Sequence, residues 1–251
     1  MKRILVFSCG LGSYLIFLGT FLYLIAFVSI PVEIVPKTLD SEAQSSIARS
    51  LITDILLVGL FALQHSVMAR KEFKQKWQQY IPKYLERSIY VLLASIALCI
   101  LFWQWQPVGG IVWNLENITL KYIFYTLSAT GWLIVLISTF LIDHFDLFGV
   151  RQVYLYLRQQ EYRPLKFETK WLYKYVRHPL MLGFLIAFWF APKMTISHFI
   201  FAVAMTIYIF VGIYLEERDL IAEHGENYRN YQNRVGAILP FFFAEGRRDN
   251  P

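Results

Sequence analysis

The chain has 251 residues, of which 57% are apolar and only 17% charged. A soluble fold of this size cannot hide that much apolar surface, so one or two soluble domains are excluded. The formal net charge of +6 needs no nucleic-acid partner, because the basic residues cluster in the segments between apolar runs and read as membrane topology and contact with anionic lipid.

Residues 4–30 form 27 consecutive positions without a formal charge. That run far exceeds the apolar core of a signal peptide and no small-residue cleavage site follows, so it is read as a first membrane helix. Residues 51–69 are apolar apart from Asp54, Gln64 and His65. Residues 88–115, 122–142 and 194–215 carry no Asp, Glu, Lys or Arg, and each exceeds the ~20 residues a helix needs to cross the hydrocarbon. Residues 180–192 supply only 13 uncharged positions, about 20 Å of helix. A full crossing there requires extension back to Tyr173, which draws in Lys174, Arg177 and His178 and gives the helix a polar end. A tight turn near Pro192–Lys193 then leads into a long return helix. The expected fold is all-α: a polytopic transmembrane helix bundle of five to six helices with a cytoplasmic-side cofactor pocket. Residues 1–251 read as one domain, with a helical-hairpin core at about 170–240 and a tail that frays after Pro240.

With six helices and the N-terminus inside, 20 of the 24 Lys and Arg residues fall on the cytoplasmic side and 4 outside. Both termini are therefore expected in the cytoplasm, in a multi-pass protein of a bacterial inner membrane. Cys9 and Cys99 sit in separate apolar helices, where their spacing suits no metal site; they read as buried free thiols, and no metal is expected.

Polar residues at membrane depth are costly and mark functional candidates. Gln64-His65-Ser66 lies near the inner end of the second helix, where His65 either ties to a neighbouring helix or faces a pocket in the bundle. Asp143-His144-Phe145-Asp146 opens the cytoplasmic segment 143–176. Its apolar positions Phe145, Leu147, Phe148, Val150, Val153, Tyr154 and Leu157 predict an interfacial amphipathic helix, either plain surface structure or a lid. In Arg177-His178-Pro179, proline starts a helix at little cost and leaves unpaired N–H groups at the membrane mouth, which favour a carboxylate or another anion. Glu216 and Glu217 end the last apolar run. The short hairpin between these two helices brings residues 177–183 close to 216–217, and an anion-binding helix start facing two carboxylates suits a zwitterionic, partly cationic ligand.

The stretches RHPLMLGF (177–184), EERDL (216–220) and HGENYRNYQNRV (224–235) resemble the membrane methyltransferases typified by isoprenylcysteine carboxyl methyltransferase and phospholipid methyltransferase. Leu180-Met181 departs from that pattern, which usually places an aromatic residue there. A wider likeness runs through LQHSVMARKEFK (63–74), ERSIYVLL (86–93), FWQWQPVGGIVW (102–113) and DHFDLFGVRQ (143–152). These are similar to the bacterial methanethiol S-methyltransferase family, itself similar to a denitrification-associated membrane protein family. The resemblance implies transfer of a methyl group from S-adenosylmethionine to methanethiol, a small volatile thiol, giving dimethyl sulfide. It implies that Tyr173, His178, Pro179 and Gly183 line the cofactor pocket, and that Glu216 holds a polar end of the cofactor with Glu217 beside it.

A thiol must lose its proton before it attacks. His65 and His178 are the candidate bases, Arg177 is placed to stabilise the thiolate, and Asp143 and His144 are second choices near the substrate. Other readings stay open: another thiol, a lipid amine or an isoprenylcysteine carboxylate as acceptor, a non-enzymatic membrane factor, or a transporter. A transporter typically shows paired broken helices in two related halves, whereas this sequence has one broken helix and no internal symmetry.

Overall fold

The computed structural model describes residues 1–31, 33–165 and 171–240. The expected fraying after Pro240 falls outside the described residues. The helices in chain order are α1 (Lys2–Ser29), α2 (Ile47–Ala69), α3 (Lys71–Trp77), α4 (Lys83–Gln104), α5 (Ile118–Ile142), α6 (His144–Leu147), α7 (Val150–Leu157), α8 (Pro179–Trp189), α9 (Ile196–His224) and α10 (Glu226–Arg234). Helices α1, α2, α4, α5 and α9 are long and apolar enough to cross a membrane. The protein is an integral membrane helix bundle.

Local chemistry sets several helix starts. Asn117 caps α5 by accepting from the Thr119 and Leu120 amides at 2.9 and 3.1 Å. Thr195 caps α9 by accepting from the His198 amide at 3.0 Å. Pro179 occupies the first turn of α8, where its missing N–H costs nothing.

The helix expected back to Tyr173 is shorter than read from the sequence. α8 has 11 residues, about 16 Å at ~1.5 Å per residue, and does not extend back to Tyr173, which sits in a 3-10 turn over Trp171–Lys174. Beyond Trp189 the chain leads into an extended segment. Residues Lys193–Thr195 (β2) pair antiparallel with Ile111–Asn114 (β1), with Ile111 opposite Thr195 and Asn114 opposite Lys193. The sequence reading placed no ribbon here. It closes the end of the bundle where α4 and α5 are joined, called the ribbon end below. The opposite end, where α9 runs into α10, is the mouth.

The core gathers Phe27, Leu101, Trp105, Trp132, Phe188 and Phe201 from α1, α4, α5, α8 and α9. Polar anchors fasten it: Trp105 Nε1 donates to Ser197 Oγ at 3.0 Å and Trp132 Nε1 to Ser29 Oγ at 2.8 Å. Met181 packs against this core. Cys9 and Cys99 are exposed on the outer face of the bundle. This corrects the expectation of buried thiols: an apolar helix in a membrane turns apolar residues outward to lipid as readily as inward.

The amphipathic segment after α5 is present but broken. Gly149 adopts φ 86°, and a Cβ there would lie 2.7 Å from the Ser88 amide nitrogen. This glycine separates α6 from α7 and lets α7 press the fully buried Val153 against α1 at Gly10.

Candidate functional site at the mouth of the bundle

Two groups of polar side chains converge on α9. The first surrounds the start of α8. Glu217 accepts from Arg177 Nε at 2.7 Å and from Gln232 Nε2 at 2.9 Å, and lies 3.0 Å from His178 Nε2. Arg177 also donates to the carbonyls of Gln232 and Val235. The amides of Arg177 and His178 donate to the carbonyls of Gly236 and Ala237 at 2.9 and 3.0 Å, so the segment after α10 lies stitched along residues 176–178. The Tyr231 hydroxyl donates to the Tyr173 carbonyl at 2.5 Å. Arg177 and Glu217 are mostly buried, with 10% and 16% of their side chains exposed. Their charges match each other, so the Arg177 guanidinium is committed to a clamp.

Glu216 stands apart from this clamp. One carboxylate oxygen lies 3.6 Å from His178 Nδ1. Half its side chain is open to water, while His178 beside it is buried. Glu216 thus stands at the open edge of the packed cluster, the recess referred to below. Tyr173 borders the same recess: burial, then the Glu216 charge, push its phenol well above the ordinary tyrosine value. That hydroxyl therefore stays protonated and able to donate.

The second group lies deeper, between α2 and α9. His65 Nδ1 is 2.8 Å from the Tyr208 hydroxyl. Tyr90 packs on the His65 ring with centroids 5.2 Å apart. On the rim, Arg70 pairs with Asp219 at 2.8 Å and ties the end of α2 to α9. Lys74 on α3 is held below the usual lysine value, first by burial and then by the Arg87 charge.

The structure brings together Tyr173, Arg177, His178, Pro179, Glu216 and Glu217, as the short hairpin predicts, and adds His65 through α9. It does not bring Gly183 to the recess. A Cβ on Gly183 would meet the Gly131 carbonyl at 2.7 Å and the Val135 amide nitrogen at 2.8 Å. The missing side chain makes room for α5 and not for a ligand, which corrects the expected role. Asp143 and His144 are likewise occupied elsewhere. Asp143 caps α6 by accepting from the Asp146 amide at 3.0 Å. His144 has Tyr14 and Thr139 hydroxyls on its two nitrogens at 2.9 and 2.8 Å and stacks on Phe140. Both serve the junction of α1, α5 and α6. A shallow groove along Thr119, Tyr122, Ile123 and Thr126 is remote from all these residues. Tyr208 was not anticipated. Its signal is positional: it precedes Glu216 by eight residues on one helix and so falls on the same broad face.

Fold and site define an integral membrane protein with five helices long enough to cross and a polar cluster, open to water at Glu216, at one end of the bundle. A family profile described as NnrU protein matches residues 55–242, and the chain belongs to that family. Among curated relatives, a methanethiol S-methyltransferase of Crocosphaera subtropica is 52% identical, with 96% of this chain and 94% of the relative covered. One of Mycobacterium tuberculosis is 46% identical, with 96% and 98% covered. Nurim of Mus musculus is more distant, 25% identical with 86% and 90% covered. No solved structure matches the chain.

Proposed function

We propose that this chain is a methyltransferase that moves a methyl group from S-adenosylmethionine to methanethiol and releases dimethyl sulfide. The acceptor rests on the likeness, at 46–52% identity over nearly the whole chain, to proteins named for that reaction. The observation in the fold that carries the reading is the recess beside Glu216. A half-accessible carboxylate with a protonated phenol beside it fits a ligand bearing an ammonium and ribose hydroxyls. When bound, S-adenosylmethionine would supply an electrophilic methyl carbon on a sulfonium: attack by methanethiolate would form the new carbon–sulfur bond of dimethyl sulfide, and S-adenosylhomocysteine would leave with the electron pair of the broken bond.

The residues then divide the work. Glu216 takes the cationic or hydroxyl end of the cofactor, with Tyr173 donating beside it. Arg177, His178, Glu217 and Gln232 hold the start of α8 and the following tail in register with α9, so they position Glu216. The matched charge of Arg177 makes it a positioning residue, not the thiolate's counter-ion. His65 is the base: with its Nδ1–H donated to Tyr208, Nε2 presents a lone pair to the thiol proton.

The recess faces the cytoplasm, where the cofactor is made. The excess of basic residues at the mouth supports this orientation, with both termini on that side of a bacterial inner membrane. Reporter fusions after Pro251 and within 104–120 that report the same side would overturn it. For the reaction, membranes containing the protein are given S-adenosylmethionine and methanethiol, and the headspace gas is analysed. Dimethyl sulfide above the level of protein-free membranes is expected, and its absence sinks the proposed reaction.

A further inference from the structure

We propose that Gly212 forms the floor of the acceptor pocket and sets the size of the thiol that fits. The inference rests on the reaction proposed above and deepens it. At 3.6 residues per turn, α9 turns Ile207, Phe210, Val211 and Tyr214 to one side, and all four are exposed as lipid-facing residues should be. On the opposite side lie the buried Ile209, Ile213 and Ala202. Gly212 and Glu216 fall on that inward side too. An inward-facing position in a packed bundle should meet neighbours, as Gly131 and Gly183 do within 3 Å of an added Cβ. A Cβ on Gly212 meets no atom within 4 Å. Glycine here, partly exposed, faces open space on the flank of α9 that carries Glu216 and Tyr208.

That space has defined ends. One helical turn toward the mouth is Glu216, half open to water and 3.6 Å from the buried His178. One turn toward the ribbon end is Tyr208, whose hydroxyl meets His65 Nδ1 at 2.8 Å. Along the axis, Tyr208 and Glu216 are ~12 Å apart at ~1.5 Å per residue, with Gly212 midway. The carboxylate assigned to the cofactor and the imidazole assigned to the base are therefore too far apart to touch one small group from the same side. The room left by the absent Gly212 side chain is what lies between them. A one-carbon thiol fits such a gap, and each added methylene has to displace wall.

Two experiments test this. In the first, turnover of methanethiol, ethanethiol and propanethiol is measured for the wild type, Gly212→Ala and Gly212→Val. One methylene in an apolar pocket discriminates roughly 10–200-fold. Gly212→Ala should therefore lower kcat/KM for ethanethiol at least about tenfold more than for methanethiol. Gly212→Val should abolish turnover of all three while S-adenosylmethionine affinity by calorimetry stays within about threefold. A thiol-length profile parallel to the wild type in Gly212→Ala overturns the proposal. So does misfolding of that variant, since its Cβ should meet nothing. In the second, Gly212→Cys is made in a Cys9→Ala/Cys99→Ala background and treated with 2-aminoethyl methanethiosulfonate, with modification read by intact mass. Modification is expected, because the pocket is open to water through the Glu216 recess. A Gly212→Cys thiol that stays unmodified, as one facing lipid or packed protein would, removes the pocket. A wild type that methylates no thiol sinks the reaction alone, and the labelling result then decides the pocket independently.

Discussion

Two adjacent glutamates with the same chemistry should fail in different ways when truncated. Glu217 holds Arg177 Nε at 2.7 Å, Gln232 Nε2 at 2.9 Å and His178 Nε2 at 3.0 Å, and it and Arg177 are 16% and 10% exposed. Glu217→Ala leaves a mostly buried guanidinium without its counter-charge. Breaking a buried pair this way costs about 3–5 kcal/mol. Arg177 keeps the carbonyls of Gln232 and Val235, so the lower end, about 3 kcal/mol, is expected. Arg177→Met/Glu217→Met should cost less than Glu217→Ala alone, because no charge is stranded. Glu216 is half exposed and approaches His178 Nδ1 only at 3.6 Å, so Glu216→Ala should change stability by less than about 1 kcal/mol. Its loss should appear in cofactor affinity, by about 1.5–3 kcal/mol or roughly 10–100-fold. Reversible unfolding in mixed detergent micelles measures the first quantity, and calorimetry with S-adenosylmethionine the second. Equal destabilisation by both truncations, or unchanged affinity in Glu216→Ala, would refute the division between clamp and ligand site.

His65→Gln keeps a hydrogen-bonding group beside Tyr208 but no base, and should lower methanethiol turnover roughly 10²–10⁴-fold at neutral pH. The loss should shrink at high pH, where methanethiolate forms unaided, and full turnover at neutral pH removes His65 from the chemistry. Gly183→Ala drives a Cβ to 2.7 Å from the Gly131 carbonyl and should cost about 1–3 kcal/mol of stability; a neutral result would show that α5 and α8 are not held at that spacing. Burial holds the His144 imidazole below its ordinary value, against a weaker upward pull from Asp143. Its folded pKa therefore lies below the unfolded ~6.5. The stability it contributes is full above about pH 6.5 and is lost as pH falls, because the unfolded chain takes the proton first. The wild type should lose more stability than His144→Gln between about pH 7.5 and 5.5, and equal losses would place the titration elsewhere.

The passes across the membrane were legible because uncharged length is a one-dimensional signal, and the mouth cluster because a short hairpin constrains both its ends. The ribbon was not, since Ile111–Asn114 lies inside an uncharged run that reads equally well as helix. Gly183 and Gly212 look alike in a sequence. One faces a neighbouring backbone and the other open space, and only the packing of α5, α8 and α9 separates them. Tyr208 and Tyr214 stand six residues apart in one apolar helix, which turns the first toward His65 and the second, 67% exposed, toward lipid. His144 drew notice as a polar residue at the membrane edge, but its partners Tyr14 and Thr139 come from two other helices, and no spacing along the chain announces them.

The rotation of α9 also explains why the tail after it matters. Successive residues on a helix point about 100° apart, so Glu216 and Glu217 cannot face the same space. Glu217 turns to α8 and meets Arg177 and His178, while Glu216 turns to the recess. A carboxylate in a recess stays in place only if the helix that carries it cannot roll. The clamp on the next residue opposes that roll, and the tail completes the clamp through the Gln232 side chain, the Gln232 and Val235 carbonyls and the parallel bridge between Val176 and Gly236. The Gly-x-x-Tyr-x-x-Tyr segment at Gly225, Tyr228 and Tyr231 acts in the same support. Tyr228 is buried at 1% exposure and Tyr231 reaches the Tyr173 carbonyl. This segment thus holds the start of α8 and the end of α9 at a fixed angle around Glu216.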